Sequence, residues 1–109
     1  MRYLVEGEFV DSGPVVSPQQ FGQLADVVGS SLDMLAKLEG EKRIRGGALT
    51  GARVGVFVTD AESHEEVGDL LRSLPFWGLH RWEVTPLESW EHRARQDRQL
   101  LERLKAGPR

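Results

Sequence analysis

AESHEEVGDLLRSLPFWGLHRWEVTPL, residues 61 to 87, changes its apolar period halfway, and that change decides the fold. Ser63 followed by Glu66 has the form of a helix capping box, in which the serine oxygen takes a first-turn N–H and the glutamate reaches back toward the cap. Val67, Leu70, Leu71 and Leu74 then recur at three and four residues, the spacing of one helix face. Pro75 ends the run, because it has no N–H to donate. From Leu79 to Thr85 the period becomes two, with Leu79, Arg81, Glu83 and Thr85 on one face of a strand and His80, Trp82 and Val84 on the other. Pro86 is expected to stop that strand.

The segments on either side complete the pattern. Arg53 to Thr59, RVGVFVT, is valine-rich and joins the strand-like Lys42 to Thr50 through Thr50-Gly51-Ala52, which predicts a hairpin. Gly46-Gly47 predicts a bulge, or a place where something comes close to the backbone. Before the hairpin, Phe21, Leu24, Ala25, Val28, Leu32, Leu35 and Leu38 form the stripe of a long helix ending near Gly40. It follows the turn-rich DSGPVVSP and opens at Ser17-Pro18-Gln19-Gln20, with a serine cap, proline at the first helical position and glutamine at the third. The chain begins with a strand from about Arg2 to Val10, in which Tyr3, Val5 and Phe9 alternate with Glu6 and Glu8. From Ser89 onward, Trp90, Ala94, Leu101 and Leu104 fall along one face of a further helix. Six basic and four acidic residues between Glu88 and Arg109 suit a salt-bridged solvated helix better than a nucleic-acid-binding arm.

The order is strand, helix, strand, strand, helix, strand, then an extra helix. This is the ferredoxin-like βαββαβ order of the α+β class, an antiparallel sheet with two helices on one face. Residues 1–88 form that domain and 89–109 a C-terminal helical extension. The second face of the sheet is left bare, and a second copy of the sheet is the common way to cover it. A dimeric α+β barrel enclosing a shared cavity is therefore expected.

Glu62, Ser63, Glu66, Val67, Leu70, Leu71, Leu74 and Pro75, followed by Glu83, Val84, Thr85, Pro86 and Leu87, resemble in register the C-terminal half of muconolactone delta-isomerase. A weaker likeness extends to the first strand, Gly40, Gly51 and Asp60. The resemblance implies the ferredoxin-like fold, dimers or larger rings, and a pocket lined by sheet faces. It also implies a cofactor-free isomerase that moves a proton from carbon to carbon on an unsaturated lactone or a related intermediate of aromatic degradation. The chain departs from the family in its second strand, where RIRGGALTG stands in place of a run with tryptophans and histidine, and in its C-terminal helix. Those departures leave a second expectation open, a non-catalytic oligomeric binding or assembly module of the same barrel type.

Proton transfer between carbons needs a positioned base and acid, and a cation for the enolate and carboxylate. If Tyr3, Val5 and Phe9 face the helices, the opposite face carries Glu6, Glu8 and Glu83 as candidate bases, with Arg45 and Arg81 as candidate substrate-binding cations. Trp77 and His80 are candidate substrate-binding residues at the pocket mouth, with a packed or half-exposed histidine as the other reading of His80. The same charges also fit cross-strand salt bridges without chemistry. Phe76, Trp77, Trp82 and Trp90 form either an apolar plug joining the last strand to the extra helix or an aromatic wall for a planar ligand.

His64, His80 and His92 lie on different elements without metal-ligand spacing, so no metal site is expected. The absence of cysteine excludes disulfides, thiolate catalysis and zinc-cysteine sites. No P-loop, G-x-G-x-x-G, nucleophile elbow or RNP signature occurs, so no cofactor is expected. The 109 residues, 39% hydrophobic and 28% charged, suit one globular domain, and the net charge of -3 gives no reason to expect nucleic acid or an anionic membrane. MRYLVEGEFV lacks the apolar region of a signal peptide, and no apolar run approaches the roughly 18 residues of a membrane span. A cytoplasmic location is the expectation, with further copies of the chain and a small acidic molecule as partners.

Overall fold

The computed structural model describes residues 1–10 and 17–107. Strands β1 (Arg2–Phe9), β2 (Ile44–Ala48), β3 (Val54–Asp60) and β4 (His80–Leu87) form one sheet in the order β2-β3-β1-β4. All three pairings are antiparallel. β1 and β2 therefore run parallel on either side of β3, and β3 and β4 run parallel on either side of β1. Helices α1 (Pro18–Gly40) and α2 (His64–Arg72) make the two crossovers of a split βαβ arrangement, and α3 (Trp90–Ala106) follows the last strand. The turn expected over residues 11–16 lies outside the described residues.

Period-two alternation in β1 sorts the two faces of the sheet. Tyr3 and Val5 are wholly buried against the helices. They pair with Thr59 and Phe57 of β3 and with Pro86 and Val84 of β4. Leu38 of α1, Ile44 of β2, and Val67, Leu71 and Leu74 from and after α2 close the core over them, with Phe76. Burial of apolar surface of this kind supplies the main favourable term in folding. Ser31, buried in α1, donates to the Val27 carbonyl at 2.8 Å and accepts the Phe76 N–H at 2.9 Å, so it ties the middle of α1 to the segment after α2.

Both expected caps form. Ser17 Oγ accepts the Gln20 N–H and Ser63 Oγ the Glu66 N–H. The Glu66 carboxylate reaches back one residue further than the capping box predicts, to the Glu62 N–H at 2.8 Å.

Three local expectations differ from the structure. Pro86 does not end β4 but lies within it, opposite Tyr3. An edge strand tolerates proline, because a missing N–H on the outer side breaks no ladder bond. Gly46-Gly47 is not a bulge, since β2 and β3 pair residue for residue through it. The close approach at Gly46 is that of β3 itself, for a Cβ there would run into the Val56 carbonyl oxygen and the Phe57 backbone. Trp90 joins no aromatic plug, being 91% exposed.

Helix α3 buries none of its residues, and the molecule extends over 70 × 30 × 25 Å. Its first turns carry the ion pairs Arg93–Glu88 and Arg95–Glu91. No helix among the described residues is long and apolar enough to cross a membrane.

Candidate active site

Large side chains fill the helix-facing side of the sheet at its Tyr3 end. At the other end the same side is floored by Gly7, Gly55 and Ala48, which lie level with one another across β1, β3 and β2. Gly7 is required there by its neighbour, because a Cβ would stand 2.5 Å from the Trp82 ring. At Gly55 a Cβ would meet nothing within 4 Å. The missing side chains leave a cavity of about 690 Å³ between the sheet and α1, whose Phe21, Leu24, Val28, Leu32 and Leu35 form the roof. That volume suits a small organic molecule.

The wall toward β4 is aromatic, made by Phe9, Phe76, His80 and Trp82. The half-buried His80 ring lies 4.1 Å from the Phe76 ring, 5.3 Å from that of Trp82 and 5.8 Å from that of Phe9, centroid to centroid. Its Nδ1 is 3.1 Å from the Phe76 carbonyl oxygen. A carbonyl only accepts, so Nδ1 carries the hydrogen and, in the neutral ring, Nε2 keeps the free lone pair. The charged residues of the lining are Glu39 and Arg53. Glu39 Oε2 accepts the Gly46 N–H at 3.1 Å, and the Arg53 guanidinium lies 5.5 Å from the Phe9 ring centroid.

Of the site residues expected from sequence, His80 lines this cavity. Glu6, Glu8, Glu83, Arg45 and Arg81 stand together on the opposite, helix-free face of the sheet. There Glu6 is directly opposite Glu83, Glu8 opposite Arg81, and Arg45 opposite Val58. Among the described residues none of the five belongs to an ion pair. Trp77 lies outside the cavity lining, under the Arg72 guanidinium at 4.5 Å, and its carbonyl accepts the Trp82 indole N–H at 3.0 Å. Exposed His64 holds its Nδ1 2.8 Å from the hydroxyl of buried Tyr3. No group of three potential metal ligands occurs among the described residues.

Sequence reasoning did not single out Phe9, Arg53 or the glycine floor as a site. The available signal was a pair of glycines, Gly7 and Gly55, at helix-facing positions of two strands.

No protein-family model matches the chain, and no curated protein matches it in sequence. Several solved structures match it in fold, among them two enzymes. One is muconolactone isomerase, at 22% identity with a TM-score of 0.63, over 82% of this chain and 90% of that one. The other is 5-chloro-2-hydroxyhydroquinone dehydrochlorinase of Burkholderia phenoliruptrix, in complex with 2,5-dihydroxybenzoquinone. It is 23% identical, with a TM-score of 0.57, over 84% of this chain and 98% of that one. With its β2-β3-β1-β4 sheet and two crossover helices, the chain has the ferredoxin-like α+β fold of muconolactone isomerase.

Proposed function

We propose that the protein is a small enzyme that moves a proton on a planar, oxygen-bearing ring such as an unsaturated lactone or a hydroxyquinone. The reaction takes place in the cavity between α1 and the sheet, with His80 as the base. The observation that carries this is the Nδ1 contact of His80 with the Phe76 carbonyl, which leaves Nε2 free on a ring that lines the cavity. A base so placed takes a proton from a carbon next to a carbonyl. The electron pair passes to the carbonyl oxygen as an enolate, and the proton returns at the far end of the conjugated system or the pair expels a leaving group. The names of the two similar structures describe one outcome each, an isomerisation and a loss of HCl. Neither outcome needs a redox partner.

The test is deuterium incorporation from D2O into muconolactone and related unsaturated lactones and hydroxyquinones, followed by NMR. The wild-type protein is expected to label at least one of them, and His80→Gln to slow labelling by about a hundredfold or more. Wild-type protein that labels none of them, or a His80→Gln variant as fast as wild type, refutes the proposal.

The open face supports a second reading. Glu6, Glu8 and Glu83 serve there as bases, with Arg45 and Arg81 holding a carboxylate, once a second copy covers the face. The observation in its favour is that all five charged groups gather on one surface without ion pairs among the described residues. Activity that survives replacement of all three glutamates by glutamine rules it out. Both readings take the protein as a homodimer or larger homo-oligomer, supported by half-buried Val54, Val56 and Val58 on the uncovered face and by the exposed Trp90, Leu101 and Leu104 of α3. A non-catalytic assembly module accounts for those exposed groups equally well but leaves the cavity without a role.

A further inference from the structure

The cavity ends in a row of residues that proton transfer to His80 does not by itself employ. Phe9 is the last residue of β1 and lies opposite His80 of β4. Its N–H donates to the Arg53 carbonyl at 2.9 Å, which continues the β1–β3 ladder one step beyond Val54. Alternation puts Phe9, His80 and Arg53 on the same helix-facing side. Adjacent strands are about 4.8 Å apart, so the backbones of His80 and Arg53 stand on either side of Phe9 with about 10 Å between them. That gap suits one six-membered ring with a substituent.

Arg53 lines the cavity over the Phe9 ring and belongs to no ion pair among the described residues. An unpaired guanidinium braced on an aromatic face presents its fork of N–H donors to whatever enters. Glu39, the cavity's other charged group, lies toward the far end, against Gly46. Gly46 is level with Phe57, four residues along β3 from Arg53, or about 13 Å. The cavity is thus polarised along its length.

We infer that Arg53 sets the specificity of the cavity. It binds an anionic oxygen group of a planar ring lying over Phe9, one ring's width from the position that gives its proton to His80. This rests on the cavity being the reacting site. It specifies the substrate class as a ring acid whose carboxylate or enolate oxygen lies across the ring from the labile proton, and the repulsion from Glu39 enforces the orientation.

The experiment is an NMR titration of the full-length protein with benzoate and with benzamide, which share ring and shape but differ in charge. Benzoate is expected to bind about tenfold more tightly, with shifts at Phe9, Gly55 and His80. Arg53→Met keeps the apolar stem and removes the charge, so it should equalise the two probes while leaving benzamide within about twofold of its wild-type affinity. Arg53→Lys should recover part of the preference, because it keeps the charge and loses the fork. Equal binding by wild type, a preference that persists in Arg53→Met, or shifts confined to the open face would each overturn the inference. His80→Gln separates this claim from the preceding one. If that variant keeps both turnover and the benzoate preference, the base assignment fails while Arg53 stands.

Discussion

At Gly55 the chain omits a side chain where the structure has room for one. Gly55→Val would place a β-branched residue in a strand, where it is favoured by up to about 1 kcal/mol, and would partly fill the cavity. The expected result is unchanged or raised thermal stability with loss of ligand binding and turnover, read by calorimetry and titration. Unimpaired binding would mean that the cavity is not used. Gly46 is the opposite case, because a methyl group there meets β3 backbone that has nowhere to move. Gly46→Ala should destabilise the fold by about 1–3 kcal/mol in denaturant titration, and a neutral result would contradict the close approach of β2 and β3. Alternation in β1 and β4 was enough to place Glu6, Glu8, Arg81 and Glu83 on one face and His80 and Trp82 on the other. The glycine floor was not legible in the same way. A missing side chain gives no periodic signal, and Gly7 meets Gly55 only once β1 and β3 are in register.

At the scale of elements, the caps and apolar stripes specified α1 and α2 well, because those signals are local. Ser63 Oγ holds the Glu66 N–H, so Ser63→Ala should cost about 1 kcal/mol, measured as a lower denaturation midpoint. No change would show that the cap is replaced by solvent. The limits of β4 were harder to read, since Pro86 stops an inner strand but is harmless on an edge, and edge or centre is decided by strand order. Trp90 was misleading for a related reason. An aromatic residue reads as a packing group, but in α3 it stands apart from the domain. In the proposed oligomer α3, which buries none of its residues, has its apolar side chains available to meet a second copy. Deleting residues 89–109 should therefore leave the melting of the βαββαβ domain nearly unchanged while reducing subunit number in native mass spectrometry. An unchanged oligomer would remove α3 from the interface.

At the scale of the whole molecule, the element order read along the chain, with the switch from helical to strand period at residues 61–87, was sufficient for the topology, and the sheet order and the two structural likenesses agree with it. The position of a ligand was not readable at that scale. The fold offers two surfaces to chemistry, one under α1 and one on the bare sheet, and sequence alternation populates both with candidate groups. Enclosure separates them. The cavity under α1 lies between helix and sheet of a single chain, although Phe21 and Leu32 of its roof are exposed, whereas the open face has no cover without a second copy. The most direct measurement is a crystal structure of the protein soaked with 2,5-dihydroxybenzoquinone, the compound bound in the similar dehydrochlorinase. The ring should lie between α1 and the sheet, over Phe9, with an oxygen on Arg53 and His80 Nε2 within hydrogen-bonding reach. A ring bound on the opposite face among Glu6, Glu83 and Arg81, with the cavity empty, would contradict the account.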